Sequence, residues 1–321
     1  MFRKHTRRAA RAAFAISFGV ALLIGLTACG GGGGGSSKSV TLSYAGYPEC
    51  QTRITCILGM KQIYGIKNIK FVPIGSISVY TLLDQGKALG GDGFSTDPQQ
   101  LQKNKYTALV DDKHIFGFQN VAPVLKASLL GGSDGALLAS TANAVSAKLT
   151  LPAMQAMNKA YVVNKATPKE IAHGFLAANG LLTSSKKASG AAPTITLGTK
   201  NFGEEYILGQ LYGQALQAAG FKVDYKGSFG SSELADKAIT SGKMDFYPEY
   251  TGVIALDLAK VKNAPKSANA TYVAAKKFED TRGLTMLNPT PFADTDTFTM
   301  LTSNAKKYGL TKMSDLTTLN Q

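Results

Sequence analysis

The stretch Asp245-Phe-Tyr-Pro-Glu-Tyr-Thr-Gly-Val253 decides how the rest of the chain is read. It is short, aromatic and acidic, and two turn-formers, Pro248 and Gly252, punctuate it. An amphipathic run precedes it, from Glu233 to Ile239, with Leu234, Ala238 and Ile239 as its apolar face. A Ser241-Gly242 break separates the two. The pattern predicts a helix, a turn and a short strand that presents Tyr247, Glu249 and Tyr250 at its end. Aromatic faces beside a carboxylate suit a cation that cannot donate hydrogen bonds, such as a quaternary ammonium, at about 0.5–2 kcal/mol per ring. The same tyrosines read equally well as half-buried strand residues.

Working outward, strands alternate with helices. Val40–Tyr44, Ile69–Ile74 and Phe221–Tyr225 read as strands. Ser78–Lys87 and Glu204–Ala219 read as helices with apolar faces at helical spacing. Leu109–Phe118 reads as extended. Thr167-Pro-Lys-Glu170 is a helix start, with Thr at the N-cap, Pro at the first helical position and Glu two residues later. This alternation predicts an α/β fold. Thr183–Pro193 has linker composition.

Composition narrows the function classes. Removing the five cations of the leader from the formal charge of +14 leaves +9, and export makes nucleic acid an unexpected partner. Histidine is scarce outside the leader, where only His114 and His173 remain, and no spacing suggests a metal site. No nucleophile elbow or phosphate loop appears, so neither an enzyme nor a cofactor is expected. Cys50 and Cys56 lie six apart. An oxidising exterior permits a disulfide between them, and two buried thiols are the alternative.

Three motifs then carry a resemblance. Thr196-Leu-Gly-Thr-Lys-Asn-Phe-Gly-Glu-Glu-Tyr-Ile-Leu-Gly-Gln210, Gly230-Ser-Ser-Glu-Leu234 and Tyr247-Pro-Glu-Tyr-Thr-Gly252 resemble the substrate-binding proteins of ABC importers for glycine betaine, carnitine, choline and related osmoprotectants. The resemblance implies a two-lobed periplasmic-binding-protein fold (type II-like), with a ligand cleft between lobes joined by two hinge crossings. The implied partners are a quaternary ammonium solute and the permease subunits of the importer.

The order of the motifs departs from the family. Tyr47-Pro-Glu-Cys-Gln-Thr-Arg53, Phe94-Ser-Thr-Asp97 and Asn120-Val-Ala-Pro-Val124 resemble the family's second part, yet stand before its first. A circular permutation is the simplest account, with the old ends joined through 184–193. It implies one lobe of 40–118 plus 302–321. The other spans 119–301, with crossings near 119–123 and 297–301.

The resemblance implies a cation cage of Tyr250, Phe298, Phe94 and either Phe118 or Gln119, with Asp296 nearby. It places a ligand carboxylate on Lys200 and Arg53. Phe stands at positions where most of the family has Tyr, which keeps open another small cation or an amino acid as the solute. The leader has a basic start (Arg3, Lys4, Arg7, Arg8, Arg11) and an apolar run, Phe14–Leu26. Residues 1–28 read as a signal peptide. Leu26-Thr-Ala-Cys29 resembles a lipobox, implying a lipid anchor on Cys29 to the bacterial cell membrane. Residues 29–39 form a Gly/Ser tether, and the protein is expected outside the cytoplasm.

Overall fold

The computed structural model describes residues 40–75, 77–189 and 192–320. The leader, Cys29 and the tether lie outside the described residues. The strands are β1 (Leu42–Gly46), β2 (Ile69–Pro73), β3 (Gly90–Phe94), β4 (Tyr106–Leu109), β5 (Val121–Lys126), β6 (Ile195–Thr199), β7 (Val223–Ser228), β8 (Phe246–Tyr250), β9 (Leu284–Met286) and β10 (Asp296–Leu301). The helices are α1 (Ile57–Gln62), α2 (Val79–Asp84), α3 (Gly135–Lys148), α4 (Leu151–Val162), α5 (Pro168–Ala178), α6 (Gly203–Ala218), α7 (Ser232–Thr240), α8 (Ala268–Asp280) and α9 (Thr302–Tyr308). No described helix is long and apolar enough to cross a membrane.

The strands form two sheets of five, ordered β2-β1-β3-β10-β4 and β7-β6-β8-β5-β9. The two follow one plan. In the first, β1 is parallel to β2 and β3, and β10 runs antiparallel between β3 and β4. In the second, β6 is parallel to β7 and β8, and β5 runs antiparallel between β8 and β9. Each antiparallel strand comes from the other stretch of the chain, so the chain passes twice between lobes, at 110–120 and 287–295. The second passage falls earlier than the 297–301 expected from sequence: β10 occupies those residues and is an inner strand of the first sheet. The passages run side by side, with Asn120 bridged to Ala293 and its Nδ2 donating to the carbonyls of Thr290 (3.0 Å) and Phe292 (3.1 Å).

Leu109–Phe118 is not extended throughout. The strand ends at Leu109, and the chain then turns, with positive φ at His114 (57°) and Gly117 (65°). The capping box at α5 forms as the sequence predicts: the Glu170 amide donates to Thr167 Oγ1 and the Thr167 amide donates to Glu170 Oε2. Leu181 packs on the same apolar core as Ile195, so the linker joins two parts of one lobe. The Val40 amide donates to the carbonyl of Leu319 at 2.8 Å, bringing the two ends of the folded unit together.

Helix, turn and strand follow one another at α7 and β8, as the aromatic stretch predicts. Ala235, Ala238 and Ile239 form the buried face of α7, whereas Leu234 is 53% exposed, a correction to the apolar face drawn from spacing. Beyond β8 the chain enters a π-helical turn, Val253–Leu258, that the sequence did not announce. Such turns gather at functional sites because they displace side chains from the regular helical register.

Candidate functional site

A cavity open to solvent at its mouth lies where the carboxyl ends of the parallel strands of both sheets face one another. That is where open α/β sheets hold ligands, since the loops beyond those ends are free to vary. The loop after β1 contributes Tyr47, Arg53, Cys50 and Cys56. The end of β3 contributes Phe94, and the start of β10 contributes Asp296. From the second lobe come Lys200 and Phe202 after β6, Ser231 and Ser232 at the start of α7, and Tyr250 at the end of β8. Cys50 and Cys56 are paired, with 5.2 Å between their Cα atoms. With Asp92 they make the one cluster among the described residues spaced to hold a metal ion, and the disulfide removes both thiolates from it.

Three rings run across the cleft. Phe94 of the first lobe lies parallel to Phe202 of the second at 6.1 Å between centroids. Phe202 in turn lies 6.1 Å from Tyr250, at 20°. The Tyr250 hydroxyl donates to Glu204 Oε1 at 2.8 Å, which fixes the ring. Phe202 was not singled out in the sequence. Its only signal is an aromatic residue between a strand end and a helix start.

The structure redistributes the other expected residues. Phe298 is fully buried and lies outside the cavity: its ring packs on Tyr44 at 5.3 Å within the first lobe's core. It crosses the neighbouring strand at Gly90, where an added Cβ would come within 2.3 Å of the ring. Phe298 shares a face with Asp296 but sits one pleat deeper, below the cleft. Of the alternatives Phe118 and Gln119, it is Gln119 that lines the cavity. Its Oε1 accepts the Val253 amide at 3.1 Å, and its amide group lies against Gly252, where a side chain would collide with it. Phe118 is half-buried outside the lining.

Both expected cations are held by protein carboxylates. Lys200, 3% exposed, donates to Glu249 and lies 3.7 Å from Glu205. Its ammonium stands 4.1 Å from the Tyr250 centroid and 5.5 Å from that of Phe202, so it lies within reach of the cage's own rings. Arg53 bridges the lobes, donating to Glu233 Oε1 from Nε (3.2 Å) and Nη2 (2.9 Å). Thr55, two residues on, donates to Asp257 of the π-helical turn at 2.9 Å.

The cleft is rich in carboxylates that burial makes reluctant to ionise. Burial raises Asp92 and Asp294 well above the ordinary carboxylate range. Burial, helped by the charge of Asp257 and opposed by Arg53, pushes Asp296 up to about 7. Burial also lifts Glu205 to about 8, against the pull of Lys200, and Asp97 to about 6. A carboxyl whose pKa is raised by folding contributes stability that is full below its unfolded pKa, about 4, and is lost as pH rises through the folded value. The expected result is that the ligand-free protein melts at higher temperature near pH 5.5 than at pH 8. Calorimetric scans across that range check it, and a midpoint that climbs steadily to pH 8 would contradict it.

A family described as the substrate binding domain of ABC-type glycine betaine transport systems matches residues 41–178 and 193–321. A glycine-betaine-binding protein of Pseudomonas aeruginosa is 34% identical over 125 residues, 39% of this chain and 40% of that protein. Glycine betaine-binding protein YehZ of Escherichia coli is 34% identical over 128 residues, 39% of this chain and 42% of its own. The matched region thus spans less than half the length of either relative. Among solved structures, an ancestral arginine-binding protein bound to arginine superposes with a TM-score of 0.40 at 12% identity, over 88% of this chain and 91% of that one. The family match takes in both lobes, both strand-end loops that build the cleft and all three of its stacked rings, and this chain belongs to the family of substrate-binding domains of ABC-type glycine betaine transport systems.

Proposed function

We propose that this chain is the extracytoplasmic capture component of an ABC importer, taking glycine betaine or a related quaternary ammonium solute from solution and delivering it to the membrane permease. The observation that carries this reading is the row of Phe94, Phe202 and Tyr250 across the cleft, bordered by Asp92 and Asp296. Trimethylammonium has no N–H to satisfy, so ring faces attract it, and once bound it favours the ionised form of the carboxyls beside it. The solute's carboxylate goes to Arg53 and Lys200, which line the same cavity, Lys200 beside the Tyr250 and Phe202 rings; both are already paired with protein carboxylates, so the solute shares them. The N-terminus of α7, at Ser231 and Ser232, supplies backbone donors.

The segments 110–120 and 287–295 serve as the hinge, and the Arg53–Glu233 and Thr55–Asp257 contacts hold the lobes closed over the solute. The lobe order is a circular permutation of the family's. Its support is the family match in two pieces that part at 179–192, the adjacency of Val40 and Leu319, and curated matches no longer than one of those pieces. A lipid on Cys29 anchors the protein at the outer face of the cell membrane, as the basic start, apolar run and lipobox-like sequence suggest.

Titration calorimetry with glycine betaine, choline, carnitine and proline betaine tests the reading. Tyr250→Ala removes one ring and is expected to cost about 1–2 kcal/mol of binding, roughly a five- to thirtyfold loss. Failure of every quaternary ammonium compound to bind at millimolar concentration would refute the cage.

A further inference from the structure

The cleft does not end at the three rings. Beyond the Phe94–Phe202 pair lies a second chamber that shares Asp92, Asp294 and both phenylalanines with the first. Its far walls bring Tyr80 and Asp97 from the first lobe, and Tyr161 and Glu204 from the second. No Lys, Arg or His lines it, whereas the first chamber holds both Lys200 and Arg53.

Its carboxylates are built in rather than scattered on a surface. Asp97 accepts the Tyr80 hydroxyl and the Phe94 amide, each at 2.8 Å. Glu204 accepts from Asn158 at 2.7 Å and from Tyr250. Asp294, 4% exposed, accepts from Thr96 through Oδ1 alone, at 2.7 Å from the hydroxyl and 3.2 Å from the amide. Asp92, 7% exposed, takes one long bond from Tyr44 at Oδ1 (3.3 Å). The Oδ2 atoms of Asp92 and Asp294 have no hydrogen-bond partner among the described residues, and both side chains line both chambers. Each Oδ2 keeps its accessible surface on the cavity side of a side chain otherwise more than nine-tenths enclosed, and a carboxylate so enclosed is costly to ionise unless a cation answers it. Aromatic walls with no competing base suit an ammonium group in particular.

We propose that this chamber is a second cation subsite, so that the cleft takes solutes carrying two ammonium groups joined by a short chain. The inference rests on the reading of the first chamber as a quaternary ammonium site, and it extends that reading to a class of dicationic amines. A lone carboxylate-bearing arm is disfavoured there, because it would meet Asp97, Glu204 and Asp294 with no cation to offset them.

The test is calorimetry on the full chain with tetramethylammonium, glycine betaine, a series of α,ω-bis(trimethylammonium) alkanes of increasing chain length, and alkyltrimethylammonium ions of matched length. The expected result is a bis-cation that binds about tenfold or more tighter than its length-matched mono-cation, at one preferred chain length. Val162→Lys puts a positive charge at an exposed position on the chamber wall and is expected to erase most of that ratio. A bis-cation no tighter than its mono-cation overturns the proposal, while binding of tetramethylammonium or glycine betaine in the same assay leaves the first site standing. A ratio untouched by Val162→Lys overturns it too, since the second cation would then lie elsewhere. If none of the compounds binds, both readings fall together.

Discussion

Replacing Glu249 by alanine is expected to lower the unfolding free energy by about 3–5 kcal/mol, because it strands a buried ammonium. Lys200 reaches the cleft wall only 3% exposed, and Glu249 beside it is wholly buried. The two are bonded directly, and the same Glu249 oxygen also accepts the Tyr250 amide at 2.8 Å. Among the described residues Glu205 is the one other carboxylate within 4 Å of the ammonium, and at 3.7 Å it compensates only in part. The asymmetry between breaking a pair and removing it gives a sharper form. Lys200→Met with Glu249→Leu takes away both charges, and such apolar replacement of a buried pair is often neutral or better. Urea denaturation of the single and double variants measures the difference. A single variant within about 1 kcal/mol of wild type would show that water reaches the pair and screens it. Both residues lie in the second lobe, on β8 and just after β6, so the loss should appear with or without solute.

This pair shows where sequence reading stops. The aromatic stretch places Glu249 at the end of a strand, which the structure bears out, and Lys200 directly follows β6. That one neutralises the other depends on β6 and β8 lying side by side, a pairing between residues 49 positions apart that no local pattern encodes. Alternation of strands and helices, the helix start at Thr167 and the turn into the aromatic stretch were legible because each is fixed within a few residues. Leu234 was misread because helical spacing gives the apolar face but not whether a neighbour covers its margin. Period two in β10 likewise assigns Asp296 and Phe298 to one face and says nothing about depth. The π-helical turn that carries Asp257 to Thr55 left no composition signal in Val253–Leu258. Phe202 went unassigned because its partner ring, Phe94, is supplied by the other lobe.

Phe298→Ala separates depth from function most directly, and it is expected to cost about 3–5 kcal/mol of stability with little change in solute affinity. The ring is wholly buried, tilted against Tyr44 at 5.3 Å and pressed over Gly90, in a core that includes Leu42, Met60 and Phe116. Truncation leaves a void the size of a phenyl ring. β10 is paired on both sides, with β3 and with β4, and so has little freedom to move in and fill it. Tyr250→Ala has the opposite profile, because Tyr250 lines the cavity and its loss is read chiefly in binding. Measured together, denaturant midpoints and solute affinities should place the two variants on different axes: Phe298 on stability and Tyr250 on capture. A Phe298→Ala protein that keeps its midpoint but loses tenfold or more in affinity would return Phe298 to the cage. It would require the strand to shift by a pleat when solute binds, bringing the ring up beside Asp296 at the cleft floor.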